Sequence, residues 1–171
     1  IQLSFTIFLI FETWLVPLEG WGVDKFGPRP VIIFGAILVT IGWIICSMAS
    51  SLGVLYFAQI LTGAGAGAVY GTCSGNSLKW FPDKRGLAAG ATAAGFGGGA
   101  AITVIPVANM INASGYEQAF LVFGIVQGII ITACALFMPR AKLPPGTKAV
   151  PRVISSKKNY NQLQLIRQPL F

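Results

Sequence analysis

Long apolar stretches alternate with short polar connectors along this chain, and the alternation sets the elements. Apolar residues dominate residues 1–18, 31–49, 52–78, 87–111 and 119–138. A helix of ~20 apolar residues crosses a hydrocarbon core ~30 Å thick, and each stretch is about that long or longer. From Pro30 to Leu78 there is no Asp, Glu, Lys or Arg. That interval is too long for one span and suits two spans joined by a tight turn. The pattern predicts an all-α membrane protein with five transmembrane helices in residues 1–138. From Pro139 to Phe171 the residues shift to Pro, Lys, Arg, Ser and Asn, as expected of a solvated linker.

Composition agrees with this reading. Hydrophobic residues make up 54% of the chain and charged residues 10%, with a mean hydropathy of +0.72. Soluble domains carry about a quarter charged residues, so a water-facing surface is hard to build here.

The charge pattern adds an orientation. Lys25 and Arg29 share one connector, and Lys79, Lys84 and Arg85 share a second. The remaining seven basic residues, from Arg140 to Arg167, lie in the C-terminal segment. The connectors at 50–53 and 112–118 contain no Lys or Arg. Positive residues gather on the cytoplasmic side, so the basic connectors are assigned there, with odd-numbered spans running inward. A net charge of +7 does not indicate nucleic acid, because the basic residues flank apolar spans and form no continuous face. Anionic lipid headgroups are the fitting contact.

Cys46, Cys73 and Cys134 are widely spaced within apolar runs and read as small packing residues. With no His and no paired Cys motif, neither a zinc site nor a cofactor is expected. The opening Ile1-Gln2-Leu3-Ser4 lacks a basic n-region, so no cleavable signal is read there. The chain opens inside an apolar stretch, which predicts at least one upstream span and a larger parent protein.

Two glycine stripes stand out. Gly63, Gly67, Gly71 and Gly75 recur every four residues along the third span, and Gly86, Gly90, Ala94 and Gly98 repeat the spacing in the fourth. Such faces let helix backbones approach closely within lipid. Two other motifs are decoys. The run from Gly95 to Ala100 fits a loose dinucleotide fingerprint, but no strand precedes it. Gly71-Thr72-Cys73-Ser74-Gly75 resembles a nucleophile elbow, but the chain has no His to activate the thiol.

Candidate chemistry begins with Glu12. It lies twelve residues before Asp24, ~18 Å at 1.5 Å per residue, which places it near the bilayer midplane. A carboxylate there costs several kcal/mol unless it is protonated, paired or facing a water-filled cavity. Glu19, nearer the span's end, reads instead as reaching the headgroups. Tyr70, ~14 Å before Lys79, and Phe96, ~17 Å after Arg85, fall at similar depth on two other helices. Between Gly20 and Pro30, Gly20 and Gly27 permit tight backbone geometry, and Asp24 can cap a helix or accept from Arg29. The connector reads either as a capped turn or as a cytoplasmic latch built on Gly20, Asp24, Lys25, Gly27 and Arg29.

These residues carry a resemblance. Gly20-(three residues)-Asp24-Lys25-Phe26-Gly27-Pro28-Arg29 resembles the major facilitator superfamily signature between helices two and three, with Pro30 at its final basic position. The run from Lys79 to Ala88, and Gln2-Leu3-Ser4-Phe5-Thr6, are similar to the oxalate/formate antiporter branch.

The resemblance implies a partial major facilitator-type bundle, holding helices two to six and a cytoplasmic central loop (139–171) that leads to a missing second half. It implies exchange or symport of small mono- or dicarboxylates across the bacterial inner membrane by alternating access. Glu12, Tyr70 and Phe96 would line the site, with the anion-gripping cations supplied by the missing half. The branch's oxalate carriers have an amide at the position of Glu12 and a Tyr at that of Phe96. Gln59 stands where many superfamily members have an Arg, so proton coupling through that position is not supported. The alternative is an integral membrane enzyme or assembly subunit anchored by the bundle, but no recognisable catalytic set is present. The chain is read as a transporter and not an enzyme.

Overall fold

The computed structural model describes residues 2–138. The predicted central loop lies outside them. Five α-helices carry the described chain: α1 (Gln2–Trp14), α2 (Val16–Phe26), α3 (Pro28–Ser47), α4 (Leu52–Trp80) and α5 (Arg85–Phe137). A short 3-10 turn, Pro82–Lys84, joins α4 to α5.

The first predicted span is one helix broken in two. α1 and α2 meet at 43° across Leu15. Pro17 opens α2 and has no N–H to donate back to Thr13, while the Thr13 hydroxyl bonds the Leu9 carbonyl at 2.7 Å. Both features bend a helix. The predicted end at Leu18 is a correction, because helix continues to Phe26 through Gly20, Trp21 and Gly22. The polar content of that stretch suggested a loop. Gly27 alone separates α2 from α3, at φ 92° and ψ 170°, a conformation open to glycine and strained for other residues.

α5 holds a second such break. Gly115, at φ 85° and ψ 166°, divides it where a seven-residue connector was expected. The two lengths, ~45 Å and ~33 Å at 1.5 Å per residue, are each long enough to cross a membrane. α3, α4 and the continuous 82–137 stretch pass by length and hydropathy as membrane spans, as does the bent α1–α2 pair taken together.

Close contacts fix the directions. A Cβ on Gly35 would stand 2.8 Å from the Gly65 carbonyl, and one on Gly42 3.0 Å from the Ala58 carbonyl, so α3 and α4 run antiparallel. α5 returns along α3, with Trp43 and Phe120 rings 5.2 Å apart and Gly128 pressed against Thr40. The first span runs parallel to α4. Gly63 meets the backbone of Phe8, Gly67 that of Glu12, and Lys79 reaches Asp24, all in one constant register.

The glycine stripes therefore part ways. Gly63 and Gly67 are buried packing positions, whereas Gly75, Gly86, Gly90 and Gly98 have nothing within 4 Å of a Cβ among the described residues.

Candidate functional site

Two of the three residues expected at mid-depth come together. The rings of Tyr70 on α4 and Phe96 on α5 lie 5.0 Å apart between centroids, tilted by 52°. Offset and tilted geometries suit the ring quadrupoles better than a face-to-face sandwich. Phe96 remains 54% exposed, so one face of the pair is open. Glu12 occupies the neighbouring level. Its carbonyl would stand 2.6 Å from a Cβ on Gly67, three residues before Tyr70 on α4. Its side chain is half-buried.

The five residues of the expected latch are arranged differently from the sequence reading. Asp24 lies inside α2, so it is not a helix cap. It also does not accept from Arg29: its carboxylate pairs with Lys79 Nζ at 3.3 Å, across from the last turn of α4. Arg29 Nε instead donates to the Met138 carbonyl at 2.7 Å, at the C-terminal end of α5. A cation there also opposes the negative end of the helix dipole. Lys25 Nζ sits 4.9 Å from the Trp21 ring and 5.3 Å from the Phe26 ring, a cation–π arrangement. Gly27 makes the turn by its positive φ. Gly20 is simply helical, with open space around it.

These contacts gather Lys25, Arg29 and Lys79 at one end of the bundle, tying α2 to α4 and α3 to α5. Gln59 faces α3, where its amide donates to Cys46 Sγ at 3.8 Å.

Glu19 was misplaced by the sequence reading. It does not extend past the helix end toward headgroups. Its carboxylate turns onto α4, 2.9 Å from a Cβ on Gly67 and 3.4 Å from one on Gly71. It lines a cavity of about 230 Å³ with Asp24, Gly71, Thr72, Gly75 and Lys79. The available signal was spacing: Glu12 and Glu19 are seven residues apart, two turns along one helix face.

Comparison with known proteins follows the same lines. Residues 1–171 match the sequence profile described as Major Facilitator Superfamily. The chain is 35% identical over all of its 171 residues to an oxalate:formate antiporter of Oxalobacter formigenes. It spans 40% of that antiporter's length. A probable sulfoacetate transporter of Cupriavidus necator is 31% identical over 126 residues, 70% of this chain and 29% of that protein. Human monocarboxylate transporter 11 is 27% identical over 129 residues, 75% of this chain and 27% of that protein.

Proposed function

Because this chain belongs to the major facilitator superfamily, we propose that it forms part of a secondary transporter for small organic anions, mono- or dicarboxylates. The observation that carries the reading is the 35% identity, over all 171 residues of this chain, to part of an oxalate:formate antiporter. Two further relatives are named for sulfoacetate and monocarboxylate transport, which also involve small anions. These relatives are transporters rather than enzymes.

The chain is an integral membrane protein by its family and its apolar helices. It works in the bacterial plasma membrane with its basic connectors in the cytosol, and it alternates access with a second half that supplies further residues. The Tyr70–Phe96 pair and Glu12 form one wall of the substrate site. The open face of Phe96 offers an apolar surface for a short carbon chain. The anion's charge is met by cations of the second half, since Lys25, Arg29 and Lys79 all cluster at the bundle's end. The Asp24–Lys79 pair and the Arg29–Met138 bond form the inner latch, closed in one state and broken in the other.

Counterflow of labelled formate, oxalate and acetate by the full-length protein in liposomes tests the reading. Trans-stimulated uptake of at least one carboxylate is expected, and no exchange of any would overturn it. If Glu12→Gln leaves both the rate and its pH profile unchanged, Glu12 has no place in the site.

A further inference from the structure

The groove between α2 and α4 contains two polar side chains that the proposed substrate site leaves unused. Both Glu19 carboxylate oxygens are shut off from solvent and have no hydrogen-bond partner among the described residues. Thr72 on α4 is 2% exposed, and its hydroxyl is likewise buried and unpartnered. That is unusual for this chain. Thr6, Thr13, Thr40, Thr62, Thr92 and Thr103 each bond the carbonyl four residues back, as threonines in apolar helices do. Among the described threonines Thr72 and Thr132 lack that bond, but of the two only Thr72 has its hydroxyl buried, and it lines the same 230 Å³ cavity as Glu19.

The glycines explain how a carboxylate fits there. A Cβ at position 67 would crowd Glu19 Oε1 at 2.9 Å, so that glycine leaves a hollow for the acid group. A buried, uncompensated carboxylate is strongly disfavoured.

The surrounding cations are already engaged. Lys79 pairs with Asp24, and its Cα lies ~12 Å along α4 from Gly71, beside the Glu19 carboxylate. Lys25 covers Trp21 and Phe26, and Arg29 on α3 holds the Met138 carbonyl. Glu12 on α1 and Asp24 on α2 add negative charge rather than remove it.

We propose that Glu19 and Thr72 form a binding site for a small monovalent cation, H⁺ or Na⁺, entered from the Asp24–Lys79 end. Both ions supply the same chemistry, one positive charge small enough to sit between α2 and the Gly67–Gly75 face of α4. The carboxylate provides the charge and the Thr72 hydroxyl a further oxygen. Coupling of that cation to anion movement rests on the transport reading; the existence of the site does not.

The test is thermal unfolding of the purified full-length protein without any carboxylate. One arm titrates NaCl against choline chloride at fixed pH, and the other varies pH in choline alone. A cation bound by the folded state raises the melting temperature, by about several degrees over a hundredfold change in its concentration. A response to Na⁺ identifies sodium, and a rise with falling pH alone identifies the proton. Glu19→Gln should flatten whichever response the wild type shows, and Thr72→Val should make it shallower. The proposal is overturned if Glu19→Gln keeps the wild-type slope in both arms, or if the wild type responds in neither. An absence of carboxylate exchange would sink the transport reading and leave this result standing.

Discussion

Asp24 and Lys79 meet at 3.3 Å although 55 residues separate them, and the pair joins the C-terminal end of α2 to that of α4. Their side chains are 76% and 46% exposed, respectively. Exposed ion pairs contribute about 0–1 kcal/mol to stability, so this one adds little as a static brace. A latch does not need more, because a modest bias suffices if the pair forms in only one of two conformations. Asp24→Asn is expected to lower turnover severalfold while changing KM and melting temperature little. Exchanging the two charges, Asp24→Lys with Lys79→Asp, should restore much of the rate. Counterflow kinetics in liposomes measure both, and equal turnover in wild type and Asp24→Asn would remove the latch.

The Tyr70–Phe96 pair allows a sharper test of the proposed substrate wall. Aromatic pairs of this kind contribute about 0.5–1.5 kcal/mol beyond the area they bury. Phe96→Ala removes the ring contact and is expected to lower kcat/KM for a carboxylate about tenfold, near 1.4 kcal/mol. Phe96→Leu should recover part of it, since the apolar surface returns without the ring. Initial rates over a range of substrate concentrations separate the cases.

Within a single glycine stripe, neighbours should respond oppositely to the same change. Gly67→Ala drives a methyl to 2.6 Å from the Glu12 carbonyl, and overpacking of this sort costs about 1–3 kcal/mol. Gly75→Ala meets nothing within 4 Å and gains helix propensity, so it should be neutral or stabilising by up to ~1 kcal/mol. Melting temperatures of the two variants in detergent decide the point.

Gly27 turns the chain between α2 and α3 at φ 92°. An alanine there is held in a sparsely populated backbone region at about 1–3 kcal/mol. Gly27→Ala should therefore lower the melting temperature, whereas Gly20→Ala, within the regular helix, should not.

Much of the architecture was legible because a bilayer leaves the backbone few choices. The uncharged run from Pro30 to Leu78 covers most of α3 and α4, whose ends lie up to three residues from the expected 31–49 and 52–78. The connectors were harder. Polar and glycine-rich composition around Gly20–Gly22 and Asn112–Ser114 argued for loops, yet both stretches are helical and the breaks fall on single glycines, Gly27 and Gly115. Composition cannot distinguish a positive φ from a glycine that merely saves space.

The same ambiguity displaced Glu19. Once the first span was ended at Leu18, that carboxylate could only be read as interfacial. Depth arithmetic did predict similar levels for Tyr70 and Phe96, because rise per residue is constant in a helix. Which faces they turn depends on packing partners far away in sequence. The same is true of Lys79, whose pairing with Asp24 needed the parallel register of the first span and α4.

That register has a mechanical consequence. Where Gly63 and Gly67 let two backbones touch, neither helix can slide past the other without lifting carbonyls out of their seats. The lower part of α1 and the facing part of α4 thus behave as one stiff beam. Any rocking of the bundle has to be taken up at its joints, the bend beside Pro17 and the lone turn residues at 27 and 115.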